Sequence, residues 1–582
     1  MSWRPLHGLA RPAGLVLVAV LTFVAVVPGG GFVFDDHVLI ERNGDLRHVN
    51  VLWTSFGRDY YATSNRPGDS GYYRPVTVLV NALDVNVWQE RTWGFHVTNL
   101  VLHALACLAL VAALQALGAA ASIAWLSALF FAAHPAHAES VAFISGRADV
   151  LAALFVFLAV ACAESRARFA WLGVGLAAFL AFMSKESAVT LPALVVLTWW
   201  ARARRAARAG GVVAARGARR WPQVEVVALG VAALAALVLR HAALGAWLPT
   251  SARNARAAGA LLLPFKALLA ALASLYAPVR LLAIEPDAAH LDALRLLVGA
   301  LVAVTLWAAA WVADRRSRPL LGLGLVAACV TLLPVLDILP QETAISERFL
   351  YLPSAFLLVP AGVLVAAGWE RRGRWRWASV AALAVLLLSL AGLSTWRAVA
   401  WRDDLRVWRR AVAEEPGRAA FWDRLGLTLT ERKRYDEAER ALRRAVAIEP
   451  NYFNAQLNLG VLLHSTQRYA AAAAAYRKAL ALQPRHVTAH LDLGIVLIDM
   501  RDSPAAMQEF ETVLGLKPEH PEALRMAVLT AARLGRLEDA RRYLEIARRV
   551  LPGNPDVESA AQSVERAEKM RAARGATPAP GK

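Results

Sequence analysis

The sequence predicts an all-α chain in two parts, a polytopic membrane domain followed by an α-solenoid of helical repeats. Three observations carry this. Hydrophobic residues make up 57% of the chain and charged residues only 19%, with a mean hydropathy of +0.41, outside the range of soluble or disordered chains. Apolar runs long enough to span a bilayer, or nearly so, recur as far as Ser394. Beyond them prolines return every 34 residues, at Pro416, Pro450, Pro484, Pro518 and Pro552.

The net charge of +19 invites a nucleic-acid partner. The arginines argue against one, because they cluster in short loops between apolar runs, the positive-inside pattern of a protein whose partners are membrane lipids. Cys107, Cys162 and Cys329 all lie inside apolar runs, so no disulfide framework or zinc site is expected.

Taken in order, Arg4 and Arg11 precede a run ending at Pro28-Gly29-Gly30. It is long for a signal-peptide core and lacks a small-x-small cleavage site, so it reads as an uncleaved first membrane helix. Runs at 13–33, 97–117, 119–133, 149–164, 169–183, 187–201, 223–243, 295–313, 319–339, 349–368 and 377–394 give about eleven spans. The basic loops Arg166–Arg168, Arg202–Arg220, Arg315–Arg318 and Arg371–Arg376 then all fall on the cytoplasmic side with the N-terminus, and everything after Ser394 lies outside. Leu261–Ile284 is apolar but interrupted by Pro264, Lys266, Pro278 and Arg280, so it is expected as a re-entrant or interfacial hairpin. The outer side collects segments 34–96, 134–149, 184–187, 244–294 and 340–348. The first is too long for a connector. Its Trp53, Phe56, Tyr60, Tyr61, Tyr72, Tyr73, Trp88 and Trp93 suit interfacial helices.

The last third repeats. The proline phase also aligns Gly426, Gly460 and Gly494; Ala438, Ala472, Ala506 and Ala540; and the larger Leu442, Tyr476, Phe510 and Leu544. This is the tetratricopeptide period, with small residues where paired helices meet. Val528 replaces the glycine in the fourth repeat, and Asp404–Pro416 reads as a half repeat. The expected domains are 1–395, 396–565 and a disordered tail, 566–582.

The candidate chemistry lies on the outer side. Phe34-Asp35-Asp36-His37 places two carboxylates where the first span ends. A pair repels itself, so one member should have a raised pKa or a nearby cation; Asp35 is the expected base and Asp36 its partner. His134, His137 and Glu139 can bind a divalent metal with the acidic pair, Asp36, His137 and Glu139 forming the set, or can serve as a hydrogen-bonded loop. Arg147 can pair with Asp149 or grip a lipid phosphate. Arg74, Lys185 with Glu186, and Glu347-Arg348 with Tyr351 carry the same choice between structure and substrate. His96, Asn99 and His103 share one helix face, which suits polar packing between helices. Carboxylates for proton abstraction beside cations for phosphate suit sugar transfer from a polyprenyl phosphate.

These motifs, in this order and with repeats behind them, resemble the transmembrane and tetratricopeptide repeat-containing protein O-mannosyltransferases, in a bacterial version. The resemblance implies a GT-C glycosyltransferase fold. It further implies inverting transfer of one sugar, mannose in the relatives, from a polyprenyl or dolichyl phosphate to Ser or Thr hydroxyls, with the first-loop acids catalytic. That assigns catalysis to Asp35 and Asp36. Charge and position assign phosphate binding to Arg147, Lys185 and Arg348, with Arg74, His134, His137, Glu139, Asp149, Glu186, Glu347 and Tyr351 completing the cleft. The expected setting is a bacterial inner membrane with the repeats outside holding an acceptor protein. Two alternatives are an O-antigen-ligase-like or polymerase-like transferase and a repeat scaffold without catalysis.

Overall fold

A computed structural model describes residues 10–48, 50–61, 71–165, 167–208, 223–247, 263–276, 293–335, 346–371 and 373–575. Every regular element among them is helical. The chain divides into two compact units, Met1–Val407 and Trp408–Lys582.

In the first unit the principal helices are α1 (Ala10–Phe23), α2 (Pro75–Trp88), α3 (Thr92–Ala116), α4 (Ala121–Ala132), α5 (Arg147–Glu164), α6 (Ala170–Ser184), α7 (Leu191–Arg208), α8 (Gln223–Leu244), α9 (Leu263–Tyr276), α10 (Ala293–Ala313), α11 (Arg318–Leu332), α12 (Tyr351–Leu357), α13 (Val359–Glu370) and α14 (Arg374–Ala400); helix Asp404–Glu414 runs across the boundary between the units. Each expected apolar run contributes helix among the described residues. Among the described residues six helical stretches are long and apolar enough to cross a membrane: α3, Ile144–Glu164, α8, Leu296–Ala313, Glu347–Glu370 and α14. Helices α1, α4 and α6 are apolar but shorter. A 14-residue helix such as α1 is about 21 Å long at 1.5 Å per residue, against a hydrocarbon core of about 30 Å. The charged end of α7, from Arg202 to Arg208, shortens its apolar length. The unit is that of a multi-pass membrane protein, with the span count below the sequence expectation among the described residues.

Helix α5 is the hub, packed against α3 and α6, while α1 and α13 lie against α4. Close approach requires small residues. A Cβ on Gly362 of α13 would lie 3.0 Å from Ile123 O and Ser127 N of α4, tighter than packed atoms tolerate. Of the expected re-entrant or interfacial hairpin, the helix α9 is described, with Ala270, Ala271, Ala273 and Leu275 buried; its second limb falls outside the described residues.

The second unit is a run of paired antiparallel helices from Ala419–Glu431 to Leu537–Val550. The aligned residues meet as the period implies. A Cβ on Gly460 would lie 2.7 Å from Tyr476 Cε1, and one on Gly494 2.6 Å from Phe510 Cε1. Ala438, Ala472, Ala506 and Ala540 are wholly buried. The turns between paired helices share the phase, with left-handed φ of 60° at Lys433, 58° at Gln467, 63° at Arg501 and 74° at Gly535. Helix Pro555–Gly575 continues past residue 566; the Ala, Arg, Glu and Lys residues there are strong helix formers.

Candidate active site

The acidic turn follows the end of the first helix. Phe34 has φ 55°, a backbone region that costs a non-glycine residue about 1–2 kcal/mol. Three anchors hold it. Phe34 N–H donates to Asp404 Oδ1 (2.8 Å). His37 Nε2 meets Asp404 Oδ2 at 2.8 Å, and its Nδ1 meets Glu41 at 2.5 Å. Asp36 Oδ1 accepts from the Ser145 N–H (2.8 Å) and hydroxyl (2.5 Å), and Oδ2 from Val33 N–H (3.1 Å). Two carboxylates hold His37 up at about 9 despite its partial burial, the Asp404 hydrogen bond first.

The two neighbouring acids therefore differ. Asp36 is fully buried, and desolvation raises it to about 7 against the pull of its Ser145 and Val33 hydrogen bonds. Asp35 is half-buried, and its carboxylate accepts a hydrogen bond from the Tyr61 hydroxyl (3.1 Å). Burial, then the charge of Asp35, raises the Tyr61 phenol, so it stays protonated and can donate. Asp35 also lies within electrostatic reach of Arg348.

Three cations lie within electrostatic reach of one another, Arg348 among them, and each is beside a carboxylate. Arg74 grips Glu186 through Nη2 (2.8 Å) and Nε (3.0 Å) and faces the rings of Tyr72 and Tyr60. Burial favours a protonated Glu186, but Arg74 prevails and holds it below the usual range. Lys185 Nζ lies 2.5 Å from Asp149 Oδ1 and 5.0 Å from the Phe349 ring. Burial lowers it to about 8, with Asp149 opposing and Arg74 and Arg348 assisting. Among the described residues Arg348 is the most loosely held of the three: its Nε is 3.7 Å from Glu139 Oε1 and makes no hydrogen bond. Glu139 accepts instead from the Ser346 hydroxyl (2.8 Å) and Arg348 N–H (3.2 Å), and burial raises it.

Other sequence candidates take structural places. Arg147 is wholly buried. Its guanidinium donates to Asn99 Oδ1 (2.9 Å), Ile144 O (3.1 Å), Asn81 Oδ1 (3.2 Å) and Phe95 O (3.2 Å), and pairs with Asp84 at 2.6 Å. Those partners leave no edge for a lipid phosphate. The expected Arg147–Asp149 pair does not form either, because residues two apart on a helix point to different sides; Asp149 turns to Lys185. Asn99 ties down the 134–149 loop through the carbonyls of Val141 (3.1 Å) and Phe143 (3.2 Å). The same loop closes on itself at Gly146, where a Cβ would lie 2.6 Å from Glu139 O. His134 Nε2 donates to Leu275 O (3.0 Å) and its Nδ1 accepts from Ala136 N–H (3.2 Å). His137 meets the Ser354 hydroxyl at 2.8 Å. Burial pushes His134 down to about 3 and His137 well below its usual value, so both are neutral. Tyr351 meets His103 Nδ1 at 2.6 Å, whose Nε2 donates to Ala132 O at 3.2 Å, as polar packing between helices. Glu347 pairs with Arg397 in the interior.

The expected metal set is not brought together. Asp36 is committed to Ser145, His137 to Ser354 and Glu139 to Ser346. Among the described residues no three His, Cys, Asp or Glu side chains are grouped to hold a metal. The aromatics expected at the interface divide: Trp53 is 81% exposed, whereas Tyr60 and Tyr73 are buried and Tyr61 bonds Asp35. Sequence reasoning took Tyr61 as an interfacial aromatic and named His37 only as part of the acidic stretch, and it missed the anchoring role of Asp404 and the place of Arg240, whose Nη2 donates to Gly71 O (2.7 Å). An intramembrane arginine in α8 is itself a signal that could have found the last.

Comparisons with known proteins bear on both parts of the chain. A tetratricopeptide-repeat family model matches residues 401–453, 424–487 and 491–555. The protein O-mannosyl-transferase TMTC3 of Mus musculus is 25% identical over 447 residues, covering 70% of this chain and 48% of that protein. That share exceeds what the repeats alone can supply. The protein O-mannosyl-transferase F38B6.6 of Caenorhabditis elegans is 33% identical over 159 residues, 26% of this chain and 23% of its own length. TMTC1 of Homo sapiens, also named a protein O-mannosyl-transferase, is 38% identical over 133 residues, 22% of this chain and 15% of its own. This chain thus spans about half, or less, of the curated relatives it matches. Among solved structures it is similar to YrrB, a tetratricopeptide protein (21% identity, TM-score 0.26, 32% of this chain and 91% of that one). It is also similar to MamA (20% identity, TM-score 0.23, 29% and 88%). The chain is thus similar, over part of its length, to proteins named protein O-mannosyl-transferases, and it carries tetratricopeptide repeats.

Proposed function

We propose that this protein is a GT-C-type membrane glycosyltransferase. In this reading it moves one sugar, mannose by kinship, from a polyprenyl-phosphate carrier to Ser or Thr hydroxyls of an acceptor protein that the repeats bind. The observation that carries the reading is Asp35. It is the half-buried member of the acidic pair, in a turn anchored on both sides, within reach of Arg348. The setting is a bacterial cytoplasmic membrane with the N-terminus inside and the repeats outside, supported by the positive-inside order of the basic loops.

In the proposed step Asp35 accepts the acceptor hydroxyl's proton while that oxygen forms the new bond to the anomeric carbon. The bond from that carbon to the carrier's phosphate oxygen breaks on the opposite face. Its electron pair leaves with the phosphate, and the configuration inverts. Arg348, the loosest of the three cations, meets the departing phosphate and Lys185 supports it. Arg74 with Glu186 fixes the rim. Asp36, Arg147, His134, His137, Glu139, Asp149, Glu347 and Tyr351 hold the walls. His37 and Asp404 act as positioning residues, since they touch the turn and not the reacting atoms.

The experiment is transfer of radiolabelled mannose from polyprenyl-phosphate-mannose to a Ser/Thr-rich peptide pool by purified protein in nanodiscs, beside Asp35→Asn. Label on peptide, lost in the variant, is the expected result. Silence of the wild type with mannose, glucose and other polyprenyl-phosphate donors would sink the catalytic reading. Equal label from both proteins would remove Asp35 from it.

A further inference from the structure

At the end of α7 remote from Lys185, helices α7, α10 and α11 leave an open groove of about 570 Å³. Its wall is apolar, with Leu197 and Val326 along it and Gly322 beneath, where an added Cβ would meet nothing within 4 Å. Trp200 and Trp311 frame it, 45% and 46% exposed. Two guanidinium groups close one end. Arg204 lies 4.1 Å from the centre of the Trp200 ring. Arg318 lies 5.4 Å from the Trp311 ring and donates Nε–H to Trp311 O (3.0 Å).

Neither arginine has a carboxylate partner among the described residues. Their neighbours show the contrast: Arg205 pairs with Glu164 (3.0 Å) and donates to Ala116 O (2.9 Å), and Asp314 is turned to Arg316 N–H (2.9 Å) and the Ser317 hydroxyl. An apolar trough with indoles at its lip and two uncompensated guanidiniums at its mouth is complementary to one kind of molecule. It has a hydrocarbon chain, a phosphate that guanidinium binds by shape as well as charge, and a net negative headgroup. We infer that this groove seats an anionic glycerophospholipid, its chain along Leu197 and Val326 and its phosphate between Arg204 and Arg318. The site is separate from the Asp35 cleft and independent of the chemistry proposed there.

Native mass spectrometry of the full-length protein tests this, after detergent exchange with equimolar phosphatidylglycerol, phosphatidylcholine and polyprenyl phosphate. The expected result is one retained phosphatidylglycerol, preferred at least tenfold over phosphatidylcholine. Arg204→Ala with Arg318→Ala should abolish the preference. Gly322→Phe should block retention with both charges intact. Equal retention of the two phospholipids by the wild type would overturn the proposal, as would displacement of phosphatidylglycerol by polyprenyl phosphate or unchanged retention in folded variants. The wild-type comparison decides even where a variant does not fold.

Discussion

The turn around Asp35 and the repeats after Trp408 make the same kinds of contact over different reaches of chain. In the repeats, ion pairs such as Arg434–Glu437 and Arg536–Asp539 join residues within one turn of helix and stay largely in solvent. Packing pairs such as Gly460 and Tyr476 belong to one repeat. Around the turn, His37 meets Asp404, Asp36 meets Ser145, and Arg147 meets Asp84 with both side chains almost wholly buried. Exposed pairs contribute about 0–1 kcal/mol, whereas removing one member of a buried pair costs about 3–5 kcal/mol. A periodic unit spreads its stability over many equivalent small contacts; the cleft concentrates its own in a few that have no substitute.

That contrast can be broken or sharpened, from the largest effect down. Asp35→Asn should lower transfer by about 10²–10⁴-fold, the usual contribution of a general base, while the melting temperature stays put. A drop in melting temperature of the size seen for core variants would return Asp35 to the scaffold. Asp84→Ala should do the reverse, costing about 3–5 kcal/mol by stranding the Arg147 charge, read as loss of folded protein in detergent. If it behaves like a surface variant, the cleft is not built on buried pairs. Gly460→Leu should cost the repeat unit about 1–3 kcal/mol through overpacking against Tyr476, measured by chemical denaturation with transfer to a short peptide unaffected.

The fourth expectation concerns pH. Asp36 and His37 both bind protons more tightly when folded, at about 7 and about 9, against unfolded values near 3.9 and 6.5. Raised folded values mean that stability is greatest below the unfolded pKa and falls as pH climbs through the folded one. These two groups therefore contribute a loss of stability from about pH 4 to 9, set against the gain that the neutral His134 and His137 contribute as pH rises to about 6.5. Relative to the wild type, Asp36→Asn should lack the loss between about pH 4 and 7, and His37→Gln the loss between about pH 6.5 and 9. Variant profiles parallel to that of the wild type would show that neither group is held as described. Smallest of all, Gln467→Gly should change stability by within about 1 kcal/mol, since relief of the left-handed φ is offset by glycine's extra entropy; a larger loss would mean that its side chain, not its backbone, matters.

Much of the repeat unit was legible because Pro416 to Pro552 and the glycines aligned with them state both the period and the contact. The membrane helices were legible as apolar runs, while the expected eleven spans are not all reached among the described residues: α4 and α6 are apolar but short, and hydropathy does not report length in a folded helix. The acidic pair and the cations were found by type and place. Their partners were not. Nearness in sequence offered Asp149 to Arg147, but the geometry gave it Asp84 from α2, and nothing local announced that Asp404 would return across 370 residues to Phe34. Local patterns encode local neighbours; a cleft assembled from distant segments is encoded only in the whole.

The Asp404 anchor also says where the chain can be divided. The compact units part at Val407, inside helix Asp404–Glu414. A fragment cut at Ala400, where the last long apolar helix ends, would keep every apolar helix and still lose the side chain that holds Phe34 and His37. A membrane fragment meant for biochemistry should therefore run through Glu414, and a repeat fragment can begin at Ala419 without taking anything from the acidic turn.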